Sequence, residues 1–285
     1  MKILITGSNG QLGNEFRALT DALPGAEFLF TDYRELDITR EIAVEAFMAD
    51  FNPDWIINCA AYTSVDKAEL EPEKTRLLNV EGPSLLAKTA AAQGARLIHL
   101  STDYVFDGTN HKPYTETDKV NPKGVYAQSK ADGEAHVLQP GSGAIVVRTS
   151  WLYSAYGNNF VKTILRVARE KGELTVVSDQ LGSPTWAADL AQAILNLIRC
   201  NAAEGIYHFS NEGVCSWYDF AHAIAELAGI QCVIKPTDTS GYPLPAPRPH
   251  YSLMSKGKYI ATTGQTVPYW RESLKKCIAL LNEQG

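Results

Sequence analysis

Five short, unbroken apolar runs, each separated from the next by a stretch long enough for a helix, constrain the fold of this chain more than any other feature: KILIT (2–6), FLFTD (28–32), DWIINCA (54–60), ARLIHLS (95–101) and AIVVRTS (144–150). A strand with one face in water alternates apolar and polar residues, whereas continuous apolarity suits a strand covered on both faces. The intervening segments EFRALTDAL, EIAVEAFMADF, Thr75 to Gln93 and the stretch around KADGEAHVL read as helices. Helices that return the chain to the same end of a sheet are the crossovers that parallel strands require. The pattern therefore predicts an α/β fold, a doubly wound parallel sheet of the Rossmann type.

Beyond Thr149 the texture changes. WLYSAYGNNF is aromatic and turn-rich, VKTILRVAREKG is helical, ELTVVSDQ is a short strand, and GYPLPAPRPHYS carries too much proline for regular interior structure. The helix ADLAQAILNLIRC then leads to a further apolar strand, GIYHFS, placed to rejoin the first sheet. We expect a Rossmann domain of residues 1–149 and about 183–211, and a smaller, discontinuous C-terminal domain of about 150–182 and 212–285.

With 45% hydrophobic and 20% charged residues, the chain has the composition of a folded globular protein. Its formal net charge of -6 gives no general attraction to nucleic acid or to an anionic membrane, and neither is expected as a partner. MKILITGSNG has too short an apolar stretch for a signal peptide, and no run approaches the roughly 20 apolar residues that span a bilayer. The five cysteines are scattered, without a C-x-x-C pair, so reduced thiols in a cytoplasmic protein are expected.

Directly after the first strand, GSNGQLG places Gly7, Gly10 and Gly13 three residues apart. Glycines at a strand-to-helix junction permit a tight turn and let the backbone approach a pyrophosphate, while the helix N-terminus offers unpaired N–H groups to its oxygens. The cofactor expected is a dinucleotide. Asp32, after the second strand, is placed to hold the adenosine ribose and favours NADH, while Arg34 is close enough to face a 2′-phosphate and keeps NADPH open.

YAQSK places Tyr126 and Lys130 four residues apart at the start of a helix, on one face. A free phenol has a pKa near 10; a neighbouring cation stabilises its phenolate and brings proton exchange nearer to neutral pH. At the end of the fourth strand, Ser101 and Thr102 offer hydroxyls, of which Thr102 is expected to hydrogen-bond a carbonyl that receives hydride, with Tyr126 as the acid.

The spacing G-x-x-G-x-x-G followed by Y-x-x-x-K resembles the extended, nucleotide-sugar-modifying branch of the short-chain dehydrogenase/reductases. ITGSNGQLG, NCAAYTSVDKAE, STDYVFDG, YAQSK, RTSWLYSAYGNNFVKT, VVSDQLGSPT and RPHYSLMSK, in that order over nearly the whole chain, resemble the dTDP-4-dehydrorhamnose reductase family. That resemblance implies reduction of a 4-keto nucleotide sugar by NADPH or NADH. It implies that Asn9, Gly10, Gln11, Leu12, Ala60, Ala61 and Tyr62 line the cofactor, that Asp37 and Ile38 meet the adenine, and that Lys130 meets the nicotinamide ribose. Asp103, Tyr104 and Trp151 would contact or frame the sugar, Arg248 would meet the diphosphate, and Asn159 and Phe160 would belong to a substrate lid in the second, substrate-binding domain. Some members of the family dimerise through magnesium held by glutamates. Glu15 lies on the first helix, but Ala188 and Asp189 stand where a second glutamate would be sought, so no metal is assigned and a homodimer is left as an expectation. Two rivals remain at this stage: another nucleotide-sugar reductase or epimerase, and a non-catalytic regulatory subunit similar to the methionine adenosyltransferase beta subunit.

Overall fold

The five apolar runs become strands β1 (Lys2–Thr6), β2 (Glu27–Phe30), β3 (Trp55–Asn58), β4 (Arg96–Thr102) and β5 (Ile145–Thr149) of a computed structural model that describes residues 1–284. Together with Gly205–His208 they form one six-stranded sheet, every neighbouring pair parallel, in the order β2-β1-β3-β4-β5 and then Gly205–His208. GIYHFS thus rejoins the sheet as expected. The segment after β2 forms no strand, so β3 pairs directly with β1 and the connections from β1 diverge to either side of it. That switch point leaves a crevice at the carboxyl ends of β1 and β3, where ligands of open α/β sheets bind.

The alternation of side chains along each strand divides the apolar residues between the two faces of the sheet. Ile5, Ile57, Ile98 and Ile145 stand side by side in the strand register. They pack against Leu12 and Phe16 of the helix Gln11–Arg17 and against Leu190, Ile194 and Ile198 of the helix Ala187–Arg199. Leu4, Ile56, Leu97 and Val146 face the other way, onto Val44 and Met48 of the helix Glu41–Phe51 and Leu86 and Ala90 of the helix Gly82–Gln93. The first helix begins at Gln11, four residues before the stretch expected from the sequence, and ends at Arg17; Thr20–Ala22 is a separate short turn. The glycine loop passes straight into it.

A second core gathers Tyr153, Val161, Ile164, Phe220, Ile224, Leu274 and Ile278. Its helices are Phe160–Lys171, Trp217–Leu227 and Trp270–Gln284, the second started by a reciprocal cap between Ser216 and Asp219. Glu173–Val177 pairs in parallel with Val233–Thr237, and the proline-rich stretch is irregular. We propose that this core defines the smaller domain, about 150–182 and 212–285, since the helix Ala187–Arg199 packs on the large sheet instead.

Within the large sheet, Arg148 of β5 makes a two-pronged ion pair with Glu134 of the helix Val125–Val137, at 2.9 and 2.6 Å, with both side chains almost wholly buried. Removing one partner leaves a buried charge alone, which costs about 3–5 kcal/mol. Glu134→Leu should lose about that much in urea unfolding, whereas Glu134→Leu with Arg148→Met should recover most of it. Equal losses in the single and double variants would show that the pair is not what the site depends on.

Candidate active site

Gly7 ends β1 with φ +64°, a left-handed conformation natural to glycine, and a Cβ there would stand 2.6 Å from the amide nitrogen of Ala60 just beyond β3. A Cβ on Gly13 would likewise meet Ser8 at 2.4 Å. The turn is thus pressed onto the carboxyl ends of β1 and β3, closed by a hydrogen bond from the Gly10 amide to the Gly7 carbonyl. Gly10 precedes the first helix without a side-chain cap, so the N–H groups of its first turn remain open to an anion. Asp32 lies across the loop, its carboxylate accepting from the Asn9 amide at 2.9 Å and the Tyr33 amide at 2.7 Å. Arg34 is exposed. Asp37 accepts from the backbone and hydroxyl of Thr39, while Ile38 is buried among Leu36, Val44 and Met48. A glycine cradle that a Cβ would fill, an uncapped helix end and a carboxylate at the tip of the neighbouring strand fit a dinucleotide.

The expected proton-delivery group comes together beyond β4. Tyr126 is half-buried near the N-terminus of the helix Val125–Val137, which begins with the Val125 amide donating to Glu69 Oε1 at 2.8 Å. Burial pushes the Tyr126 pKa up to about 12, and the nearby Thr102 hydroxyl acts the other way. The Tyr104 ring stands edge-on to Tyr126 at 5.7 Å. Lys130 is 2% exposed and donates to the Leu100 carbonyl at 2.6 Å. Burial brings its pKa down to about 8, with Glu134 acting upward. In this state the amine is bound to the sheet.

Asp103 is 1% exposed; one carboxylate oxygen accepts from Thr102 at 3.0 Å and the other has no hydrogen-bond partner. Burial raises it to about 6, against the hydroxyls of Ser252 and Thr102. Ser101 and Thr149, at the ends of β4 and β5, also keep buried hydroxyls without partners. Buried polar atoms without partners are uncommon, and an ordered water or a bound polar ligand satisfies them.

Trp151 lies flat on Trp217 at 3.7 Å and holds φ +48°, a strained conformation for a tryptophan. Gly182 faces both it and Ser252; a Cβ would meet either at 2.8 Å. Arg248 binds Asp66 at 2.7 Å and the Ala246 carbonyl, 6.0 Å from the Tyr104 ring. Its guanidinium therefore reaches the mouth of the site already paired, through a carboxylate that an incoming phosphate would have to replace or share. Asn159 caps the helix Phe160–Lys171 and donates to Gln11 Oε1 at 3.0 Å, and Phe160 packs on Trp217 and Phe220. Glu15 is buried, takes a hydrogen bond from Ser154, and is raised by burial. Asp189 is bound by Asn211 and Ser273, and Ala188 packs at the margin of the second core.

Asn58, Asn79 and His99 belong to the site but do not stand out in the sequence reading. Asn79 holds the Tyr62 backbone through both ends of its amide, at 2.8 and 3.1 Å, and donates to Ser129, which in turn donates to the Tyr126 carbonyl. It sits in a widened turn, Leu77–Glu81, between Pro72–Arg76 and Gly82–Gln93. A signal existed for the others: Asn58 and His99 are polar residues in otherwise apolar strand runs.

A doubly wound sheet with a glycine turn after β1, and with a hydroxyl, a phenol and an amine near its edge beyond β4, is the fold and site of a Rossmann-type, NAD(P)H-dependent oxidoreductase. More narrowly, residues 1–283 match the RmlD substrate binding domain family, and the chain belongs to it. It is 41% identical to the dTDP-4-dehydrorhamnose reductase of Aggregatibacter actinomycetemcomitans, over 96% of this chain and 97% of that protein. Among solved structures, a dTDP-4-dehydrorhamnose reductase from Clostridium acetobutylicum superposes with a TM-score of 0.94 at 44% identity, covering 99% of this chain and 100% of that one. The Bacillus anthracis reductase, in complex with NADP, gives 0.93 at 38% identity, covering 98% and 99%.

Burying Lys130 and Asp103 costs stability. For Lys130 the unfolded chain holds more protons between about pH 8 and 10.5, so stability rises with pH across that window and the cost is full below it. For Asp103 the folded chain holds more protons between 3.8 and about 6, so stability falls with pH there and the cost is full above it. Each gap corresponds to about 3 kcal/mol. Lys130→Met should therefore abolish the rise in stability of about 3 kcal/mol between about pH 8 and 10.5, and Asp103→Asn the fall of about the same size between pH 3.8 and about 6, whatever either variant does to the absolute stability. Denaturant titration of the cofactor-free parent and variants at several pH values reads both slopes, and a slope that persists in its variant would assign it to another group.

Proposed function

We propose that this protein reduces the 4-keto group of dTDP-4-dehydro-L-rhamnose to give dTDP-L-rhamnose, with NADPH or NADH as the reductant. The observation that carries the reading is Tyr126 standing edge-on to Tyr104, one turn before the buried Lys130 and near the Thr102 hydroxyl at the end of β4, within a family whose members include reductases of this name. A reduced nicotinamide, when bound, supplies hydride to a carbonyl carbon.

The residues divide the remaining work. Thr102 holds the carbonyl oxygen by a hydrogen bond, and the Tyr126 hydroxyl, the acid of the site, gives its proton to the oxygen as negative charge develops. A phenol raised toward 12 is a poor acid on its own, so the Lys130 cation is needed near the phenolate at the moment of transfer. Asp103, with one oxygen free, accepts from a sugar hydroxyl, and Tyr104 and Trp151 offer aromatic faces to the apolar side of a deoxysugar. Arg248 meets the diphosphate, its planar fork suited to two oxygens at once.

Gly7, Asn9, Gly10, Gln11 and Leu12 form the floor under the pyrophosphate, Asp32 takes the adenosine ribose, and Asp37 and Ile38 border the adenine. Ala60, Ala61 and Tyr62 cover the cofactor from β3. Asn159 and Phe160 close the substrate side, and Lys130 meets the nicotinamide ribose. The same reading takes a small-molecule nucleotide sugar as the partner and the cytoplasm as the place of reaction; the five cysteines are free thiols, as a reducing compartment would leave them. Among the described residues no helix is long and apolar enough to cross a membrane.

The experiment follows the loss of reduced-nicotinamide absorbance on mixing the protein with enzymatically generated dTDP-4-dehydro-L-rhamnose, NADPH and NADH being tried separately. Tyr126→Phe should lower kcat by about 100-fold or more while cofactor affinity stays within a few-fold of the parent. Turnover retained in Tyr126→Phe would remove the residue from its role, and no oxidation by the parent protein despite cofactor binding would remove the sugar assignment.

A further inference from the structure

A chain of buried polar side chains runs sideways through the sheet, from β1 across β3 to β4 and on to the helix that carries Tyr126. Thr6, Asn58 and His99 are register partners on β1, β3 and β4, and all three are at most 1% exposed. Asn58 Oδ1 accepts from the Thr6 hydroxyl at 2.7 Å and from the Ala60 amide at 3.1 Å; Asn58 Nδ2 lies 3.1 Å from His99 Nδ1; and His99 Nε2 lies 3.3 Å from Lys130 Nζ.

Donor and acceptor roles can be assigned along this chain from one fixed point. A backbone N–H can only donate, so the atom of Asn58 facing Ala60 is the oxygen and the atom facing His99 is the NH2 group. That NH2 group also only donates, so His99 Nδ1 is the bare, accepting nitrogen. A neutral imidazole with Nδ1 bare carries its proton on Nε2, which points that N–H at Lys130. An ammonium has only hydrogens to offer and would set donor against donor at 3.3 Å. A free amine has a lone pair for the His99 N–H and two hydrogens, one of which goes to the Leu100 carbonyl at 2.6 Å. Every contact is then satisfied.

We propose that His99 is a positioning residue that, in the cofactor-free protein, favours the free amine of Lys130 over the ammonium. The ring itself stays neutral, since it is wholly buried, which drives its pKa well below that of a free histidine, and a proton on Lys130 would push it lower still. Burial already brings Lys130 to about 8, and the His99 donor acts in the same direction. Of the other charged groups around Lys130, Glu134 on its own helix favours the cation but is taken up by Arg148 of β5, and Asp103, following β4, is itself raised by burial. Tyr126, one turn earlier on the helix, is a neutral phenol.

Two consequences follow. His99 is not a proton relay, because the chain ends at the Ala60 N–H, a backbone donor, and at the Thr6 hydroxyl, buried in the sheet. And Lys130 cannot become the cation that assists Tyr126 while it keeps its contact with His99; protonation requires the ammonium to turn toward another acceptor. The charge on Lys130 is thereby coupled to its position.

The test reads ring and amine directly in cofactor-free protein. Nitrogen-15-labelled histidine reports each ring nitrogen, with His99 assigned by its loss in His99→Phe, and carbon-13-labelled lysine reports Lys130, assigned by its loss in Lys130→Met. Above about pH 9, where the amine is neutral, we expect His99 Nδ1 bare and Nε2 protonated. Lys130 should titrate near pH 8 or below, and His99→Phe, which keeps a ring but removes the donor, should raise that titration by about one pH unit, a tenfold change in proton affinity. A proton on Nδ1, or a Lys130 titration unmoved in His99→Phe, would overturn the proposal. If His99→Phe does not fold, the tautomer in the parent protein decides alone. The proposal rests on the reductase reading only for the use made of Lys130, and since no substrate or turnover enters the test, either can fail without the other.

Discussion

The approach of the helix Val125–Val137 to the widened turn Leu77–Glu81 fixes the position of every reactive group described above. Gly133 makes that approach feasible: a Cβ there would lie 2.2 Å from the Asn79 carbonyl and 3.8 Å from His99 Nε2. A helix held off by even one methyl group would carry Tyr126 and Lys130 away from Thr102 and from the sheet. The widened turn matters for the same reason, because it sets the Asn79 amide where it can grip the Tyr62 backbone on one side and Ser129 on the other. Turns of this kind interrupt a regular helix and are often found at functional sites. The loop after β3 and the start of the helix that carries Tyr126 are thus fastened to one residue.

The interior behind that contact is unusually polar for the centre of a sheet. Asn58, His99, Lys130, Glu134, Arg148 and His208 are all buried, and nearly every contact among them is a hydrogen bond or an ion pair. Such a network is costly if a member is removed and gains little over apolar packing if complete. Its value here is positional: Lys130 is clamped from the sheet side by Leu100 and His99, while Arg148 and Glu134 brace the next turn of the helix. The strained φ of Trp151 and the free oxygen of Asp103 are of the same character, groups held in unfavourable states by surroundings rigid enough to keep them there.

What could be read from the sequence follows from how local the physics is. Each strand announces itself by its own apolar run, and the glycine turn and Y-x-x-x-K act through neighbours a few residues apart, so the sheet, the cradle and Tyr126 with Lys130 were all legible. The extent of the first helix was not, because a glycine loop that enters a helix directly gives no capping residue to mark the start. Asn58 and His99 were passed over because their meaning lies in strand register, which joins positions 41 residues apart. A polar residue near the end of an apolar strand reads as the strand's end until its neighbour across the sheet is known to be polar too. Arg248 stands out in the sequence as an arginine in a proline-rich loop, yet its bond to Asp66, 182 residues away, depends on how two parts of the chain fold together.

The two cores meet where the first helix faces the segment after Trp151. Gln11 takes a hydrogen bond from Asn159, and Glu15 takes one from Ser154, so the helix that follows the glycine turn also holds the N-cap of the helix Phe160–Lys171. Both acceptors sit on one face of the first helix, four residues apart. Movement of that helix on filling the cradle would pass to Asn159 and Phe160, and through Phe160 to Trp217 and Trp151, because these aromatic rings are in contact in sequence. The buried Glu15 strengthens the link, since a carboxyl removed from water gains more from its one hydroxyl partner than an exposed one would. Glu15 is thus turned inward, tying the first helix to the segment that follows Trp151.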